Sequence, residues 1–137
     1  MKKLFLDTNI VVDLIADRKP FSKYAITIFN QAEEKKVQLF TSSHTIATTH
    51  YLMKKFIDEK DLREILFDLL EYIQVVPVSL EILKKGLKSQ HKDFEDAIQI
   101  VCASSIGKMD FIVTRNIKDF RDSEITVLTP EEACNLF

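Results

Sequence analysis

The sequence predicts a three-layer α/β/α fold around a central, mostly parallel sheet of about five strands. Short apolar runs alternate with helical patterns along the chain, and several of these runs are apolar at every position, as strands covered on both faces are. The 137 residues are 46% hydrophobic and include 10 Phe, enough for a buried core. No repeat, linker or low-complexity segment interrupts the pattern, so residues 1–137 are expected to form a single domain.

Five apolar runs are predicted to be strands, because each is short and bounded by polar or turn-forming residues. They are residues 3–6, 37–41, 74–78, 111–114 and 125–128. Pro77 lies within the third run, which places that strand near a sheet edge or a strand end. The order of the strands in the sheet does not follow from the sequence.

Helical stripes and capping residues fill the segments between the strands. Helices are predicted over residues 8–15, 22–32, 42–56, 61–73, 79–87, 93–105 and 129–137, with a break at residues 17–20. The helix over residues 93–105 has apolar side chains at i, i+3, i+4, i+7 and i+8, which predicts a core-facing stripe. The residues of this stripe are Phe94, Ala97, Ile98, Val101 and Cys102.

Composition excludes several classes of protein. With only 2 Gly, the chain cannot form the glycine-rich loops that bind phosphate groups. The 19 Lys and Arg against 21 Asp and Glu give a net charge of -2, so no general basic coat for nucleic acid is present. Cys102 and Cys134 are not spaced for a metal or redox motif, which is typical of free thiols in a reducing compartment. With no run long enough for a signal peptide or membrane helix, a cytoplasmic protein is expected.

Acidic and amide side chains follow the predicted strand ends. Asp7 comes directly after the first strand, Asn116 and Asp119 follow the fourth, and Asp93 and Asp96 begin the helix that precedes the fourth. In an open parallel sheet, ligands bind beyond the carboxyl ends of the strands, so these side chains are expected near one another.

Three carboxylates gathered in this way repel one another, which raises their pKa values unless a cation lies between them. We therefore expect Asp7, Asp96 and Asp119 to hold a metal, and oxygen ligands without His or Cys favour Mg²⁺ or Mn²⁺. Hydrolysis of a phosphodiester is the chemistry such a site performs. The alternative is structural: Asp7 as a helix cap, and the acidic first turn of the later helix as a complement to its dipole.

Four segments carry a family resemblance: Leu-Asp-Thr-Asn-Ile-Val-Val-Asp at 6–13, Thr-Ser-Ser-His-Thr-Ile-Ala-Thr at 41–48, Phe-Glu-Asp-Ala-Ile-Gln at 94–99, and Ile-Val-Thr-Arg-Asn-Ile-Lys-Asp-Phe at 112–120. In this order and spacing they resemble the PIN-domain nucleases over nearly the whole chain. The resemblance implies a parallel α/β/α fold and metal-dependent cleavage of single-stranded RNA. It also implies a homodimer and, where the member is the toxin of a toxin–antitoxin pair, an antitoxin protein as partner.

The resemblance also assigns residues. Asp7 matches the first acidic residue of the family and Asp96 the third, whereas Thr48 stands where the family usually has Glu and Asn116 where it usually has Asp. The amide oxygen of Asn116 remains a metal donor, Asp119 lies three residues further on, and Asp93 is placed to replace the missing Glu charge. The predicted catalytic residues are Asp7, Asp96, Asp119 and Asn116; the predicted metal ligands are Asp7, Asp96, Asp93 and Asn116; and the predicted supporting residues are Asn9, Thr114 and Thr48.

Basic residues near these positions are predicted to contact RNA, because binding to its backbone requires positive charge. They are Arg115, Arg18 and Lys19; the alternative is that they are ordinary solvated side chains. A second functional hypothesis is a catalytically impaired PIN-like module that binds RNA or a partner protein, motivated by Thr48 and Asn116. A phosphatase or phospho-acceptor domain is disfavoured, since it needs an Asp two residues after Asp7 or after the third strand, and the sequence has Asn9 and Ser79 there.

Overall fold

A computed structural model of residues 1–137 contains five strands and eight helices. The strands are β1 (Lys2–Leu6), β2 (Val37–Ser42), β3 (Ile73–Val76), β4 (Phe111–Val113) and β5 (Thr126–Leu128). The helices are α1 (Thr8–Ala16), α2 (Ser22–Glu33), α3 (Ser43–Met53), α4 (Glu59–Leu69), α5 (Leu80–Lys88), α6 (Phe94–Ser105), α7 (Ile117–Phe120) and α8 (Pro130–Cys134). The predicted three-layer α/β/α architecture is confirmed, and every strand pair is parallel.

The first strand lies at the centre of the sheet. The strand order is β3-β2-β1-β4-β5, with Leu4 of β1 level with Leu39 of β2 on one side and Phe111 of β4 on the other. The chain therefore runs outward from β1 in both directions, and this reversal opens a crevice at the carboxyl edge of the sheet. Asp7, which follows β1, emerges in that crevice.

The core forms on both faces of the sheet. Leu4 and Leu6 belong to one buried cluster with α1, α2 and α4, whereas Phe5 belongs to a second cluster with α5 and α6. Successive side chains of a strand point to opposite faces, so a strand covered on both sides is apolar throughout. Cys102 lies in the second cluster, where burial raises the pKa of its thiol to about 11.

Three apolar residues differ from their predicted positions. α3 ends at Met53, and the following turn packs Ile57 against the core while Phe56 is 79% exposed. Ile73, expected on a helix, starts β3 opposite Leu39, because strand pairing and not local periodicity decides its conformation. Phe94 is 43% exposed instead of lying in the core. None of the eight helices combines the length and apolarity needed to cross a membrane.

Candidate active site

Asp7 lies between β1 and α1 with its carboxylate held from several sides. It is 6% exposed and is the N-cap of α1, with the Thr8 amide donating to Oδ1 at 2.8 Å. Gln99 Nε2 donates to Oδ1 at 3.1 Å, and Thr114 Oγ1 donates to Oδ2 at 2.8 Å. Asn9 Nδ2 lies 3.4 Å from Oδ2. Asp7 is therefore a helix cap, as the structural alternative required, and also a carboxylate fixed in orientation at the crevice.

Gln99 is a residue whose role the sequence analysis missed. Its side chain is 2% exposed, and it connects α6 to the elements on the other side of the crevice. Nε2 donates to Thr45 Oγ1 at 2.8 Å, and Oε1 accepts a hydrogen bond from the Ser42 hydroxyl that also caps α3. The signal was available, because Gln99 is a polar residue between two apolar ones on the buried face of α6. Its partners are not readable from the sequence.

A cavity of about 700 Å³ opens at the carboxyl edge of the sheet. Six of the predicted site residues line it and so share one space: Asp7, Asp96, Asn116, Asn9, Thr48 and Arg18. The half-buried Asp96 has its pKa raised to about 7, first by burial and then by repulsion from Asp93, Asp7, Asp119 and Glu95. The cavity therefore concentrates negative charge.

Asp93 and Asp119 lie outside this cavity. Asp93 is the exposed N-cap of α6, and its Oδ1 accepts from the Asp96 amide at 3.0 Å. Asp119 belongs to the short helix α7 and lines, with Asp93, a neighbouring depression that Asp96 also borders. Contrary to expectation, no three carboxylates lie close enough together to form a metal cluster.

The donors in the cavity fit a hard, largely hydrated divalent cation. Besides Glu95, two carboxylates line the cavity, Asp7 and Asp96, and Asn116 and Thr48 add neutral oxygens. Mg²⁺ commonly uses one or two carboxylates and keeps several waters, so a site of two carboxylates is sufficient. A cation also relieves the repulsion that raises the pKa of Asp96.

His44 and Glu95 also line the cavity. Glu95 belongs to the acidic first turn of α6, which the sequence places near the strand ends, whereas no role is predicted for His44. His44 Nε2 lies 3.8 Å from Glu95 Oε1 and 3.3 Å from Thr48 Oγ1. Thr48 stands where the family usually has Glu, and its neighbour there is the imidazole of His44, which lies one helical turn earlier on α3. The part of α3 that carries His44 and Thr48 is therefore polar but has no carboxylate.

Arg115 has a different environment from the one expected. Its Nε donates to Asp13 Oδ2 at 2.7 Å and its Nη2 to Asp13 Oδ1 at 3.1 Å, with Asp13 only 1% exposed. The guanidinium also lies 4.1 Å from the centroid of the Phe21 ring. Arg18 is the arginine that lines the cavity, and the exposed Lys19 follows it. The Arg115 guanidinium, predicted to contact RNA, is therefore paired with Asp13, a partner that the sequence does not reveal.

Comparison with known proteins assigns the fold to a family. The model of a family described as "PIN domain" matches residues 3–118. The chain belongs to the PIN-domain family. This PIN domain is 30% identical over 138 residues to Ribonuclease VapC1 of Aquifex aeolicus (strain VF5), with 97% of this chain and 94% of the relative covered.

Solved structures support the same assignment. A chain of a toxin–antitoxin complex from Klebsiella pneumoniae is 27% identical to this PIN domain, with a TM-score of 0.67 over 93% of this chain and 97% of the other. A chain of the DNA-bound VapBC from Salmonella typhimurium has a TM-score of 0.69 at 18% identity, with 95% and 99% covered, and shows the likeness of the fold.

Proposed function

We propose that this PIN-domain protein, folded as a single domain over residues 1–137, is an endoribonuclease that uses Mg²⁺ or Mn²⁺ to hydrolyse phosphodiester bonds of single-stranded RNA. The observation that carries the proposal is the pairing of Asp7 and Asp96 in one cavity at the carboxyl edge of the sheet. The likeness to Ribonuclease VapC1 supports the reaction class.

Each residue has a proposed role. Asp7 and Asp96 hold the cation, with the Asn116 oxygen as a neutral donor, and Thr114, Gln99 and Asn9 keep Asp7 in orientation. When bound, a divalent ion would supply Lewis-acid activation of a phosphoryl oxygen and of the attacking water. Arg18, half exposed beside the cavity, neutralises the charge of the bound RNA.

The proposal is tested by cleavage of a labelled single-stranded RNA in Mg²⁺, in Mn²⁺ and in a chelator. Asp7→Asn and Asp96→Asn are expected to reduce the rate by ~100-fold or more, since each removes a charged metal ligand while keeping the size of the side chain. Asp68→Asn is the matched control, because Asp68 is an exposed carboxylate on α4 that does not line the cavity. Full activity in both site variants, or undiminished cleavage in the chelator, refutes the proposal.

A second candidate function is a catalytically impaired PIN module that binds RNA or a partner protein. It is favoured by the neutral Thr48 and Asn116 in the cavity and by the lack of three converging carboxylates. Titration calorimetry with Mn²⁺ separates the two functions. The impaired module shows no heat of binding at millimolar metal, whereas the nuclease shows binding that Asp96→Asn weakens.

The partners are also proposed. The likeness to a chain of a toxin–antitoxin complex, at 27% identity over most of both chains, supports a toxin role for a cytoplasmic protein held by an antitoxin. A homodimer is expected by analogy with the family alone. Co-expression with the product of the adjacent gene tests the antitoxin: a stable complex that suppresses RNA cleavage supports the role, and failure to associate argues against it.

A further inference from the structure

The cavity has a second wall that the metal chemistry does not use. Besides its polar residues, it is lined by Val12 of α1 and by Ala47, Tyr51 and Leu52 of α3. Val12 is buried, whereas Tyr51 is 63% exposed and Leu52 is 45% exposed. The Tyr51 ring and the side chains of Ala47 and Leu52 are therefore accessible from the same cavity as the carboxylates.

The spacing along α3 places this wall next to the carboxylates. His44, Thr48 and Tyr51 are separated by four and three residues, so they share one face of the helix. From His44 to Tyr51 the axial rise is about 10 Å. Because Tyr51 lines the same cavity as Asp7 and Asp96, a phosphate bound near the carboxylates would leave a neighbouring nucleoside within reach of Tyr51.

One cation lies over the Tyr51 ring and a second lines the cavity. The Lys54 ammonium is 4.8 Å from the centroid of Tyr51, and Arg18 lines the cavity with its side chain 50% exposed. Sites for single-stranded nucleic acid combine these two elements, an aromatic face for a base and cations for the backbone. The carboxylates of the same cavity disfavour an apolar protein segment there, because it would remove their hydration without pairing them.

We propose that Tyr51, with Ala47 and Leu52, is a base-stacking subsite for the nucleotide adjacent to the phosphate that is cleaved. This inference rests on the proposed function and extends it by assigning the residues that select unpaired RNA. A base inside a duplex is stacked on both faces and cannot reach the ring, whereas an unpaired base can. The subsite makes no hydrogen bonds to the edge of the base, so it accepts RNA of any base sequence.

The chain contains no Trp, so Tyr51→Trp introduces a single fluorophore at the subsite. We would titrate this variant, combined with Asp96→Asn to prevent cleavage, with a short single-stranded RNA and with matched oligomers that carry an abasic residue at one position. The intact RNA is expected to quench the Trp fluorescence by stacking. Among the abasic oligomers, we expect one, which lacks the stacked base, to cause no quenching. Tyr72→Trp is the control, since Tyr72 is partly exposed at the opposite edge of the sheet, just before β3.

Cleavage kinetics give a second measurement. Tyr51→Ala is expected to raise KM by roughly 5- to 150-fold, the range for loss of one stacked base, with kcat within about twofold of wild type. Tyr51→Phe keeps the ring and is expected to preserve KM. An unchanged KM in Tyr51→Ala, or equal quenching by intact and abasic RNA, overturns the subsite.

The outcomes also separate this inference from the proposed function. If the wild-type protein cleaves no RNA, the nuclease proposal fails, while base-dependent quenching in Tyr51→Trp still supports the subsite. If Tyr51→Ala weakens binding of an antitoxin but not of RNA, the wall is a protein contact and the inference is overturned.

Discussion

Replacing Arg115 with Met removes the charged partner of a buried carboxylate. Asp13 is 1% exposed and receives both hydrogen bonds of the Arg115 guanidinium, at 2.7 and 3.1 Å. Met is apolar and shorter than Arg, so the substitution removes the charge, both hydrogen bonds and the contact of the guanidinium with the Phe21 ring. The only remaining cation near Asp13 is Arg18, whose Nε is 3.7 Å from Oδ1.

The expected cost follows from the burial. Breaking a buried ion pair by removing one partner costs about 3–5 kcal/mol, because the other charge is left in a site of low polarity. Arg18 compensates part of this loss, so we expect about 3 kcal/mol for Arg115→Met. For a chain of 137 residues this lowers Tm by about 10 °C.

Urea denaturation at neutral pH measures the change through the shift of the midpoint. Asp13→Asn and the double variant complete a mutant cycle, in which the double variant is expected to lose less stability than the sum of the two single variants. Arg63→Met is the control, since Arg63 pairs with Glu59 on the exposed surface of α4, and we expect a loss below about 1 kcal/mol. A loss under about 1 kcal/mol for Arg115→Met, or strict additivity in the cycle, refutes the reasoning.

Three further outcomes are expected. Because the pKa of Asp96 is raised from 3.8 to about 7, the folded protein binds this proton more tightly than the unfolded chain. The contribution of Asp96 to stability is thus most favourable below pH 3.8 and is lost as the pH rises through about 7. Without metal, the Tm of Asp96→Asn minus the Tm of wild type is therefore expected to increase with pH up to about 7 and then to level off. Gln99→Met leaves Asp7 Oδ1, Thr45 and the Ser42 hydroxyl without this partner, so a loss of about 1–3 kcal/mol is expected in urea denaturation; a loss no greater than that of the exposed Gln90→Met contradicts it. Thr48→Glu adds a carboxylate to the cavity, and calorimetry is expected to give a Kd for Mn²⁺ lower by about tenfold, or 1.4 kcal/mol; an unchanged Kd shows that residue 48 does not face the cation.

Local signals in the sequence predicted much of the fold. Helix starts were predictable because Ser42, Ser79 and Thr129 accept hydrogen bonds from amides in the first turn of the helix that each precedes. The same local rules failed for Ile73. Its periodicity predicts that the fourth helix continues to residue 73, whereas Ile73 pairs with Leu39 as the first residue of β3. They also failed for Phe56, because a turn beyond α3 packs Ile57 instead.

The candidate site was predictable to a similar extent. Asp7, Asp96 and Asn116 were placed together by the rule that strand ends meet at one edge of a parallel sheet, and they do line one cavity. The choice of partner for Arg115 was not predictable, since Asp13 lies 102 residues away in the chain. Asp119 is expected in the cluster, but it lines the neighbouring depression with Asp93 and not the cavity with Asp7.

The sequence by itself determined the alternation of strands and helices, the residues that cap the helices and the carboxylates that end up at the sheet edge. These features depend on interactions between residues a few positions apart in the sequence, or on the burial of both faces of a strand. Only the tertiary structure decided the strand order β3-β2-β1-β4-β5, the hydrogen bonds of Gln99 to Asp7 and Thr45, and the pairing of Arg115 with Asp13. Such contacts join distant parts of the chain, and their geometry exists only once the helices have packed on both faces of the sheet.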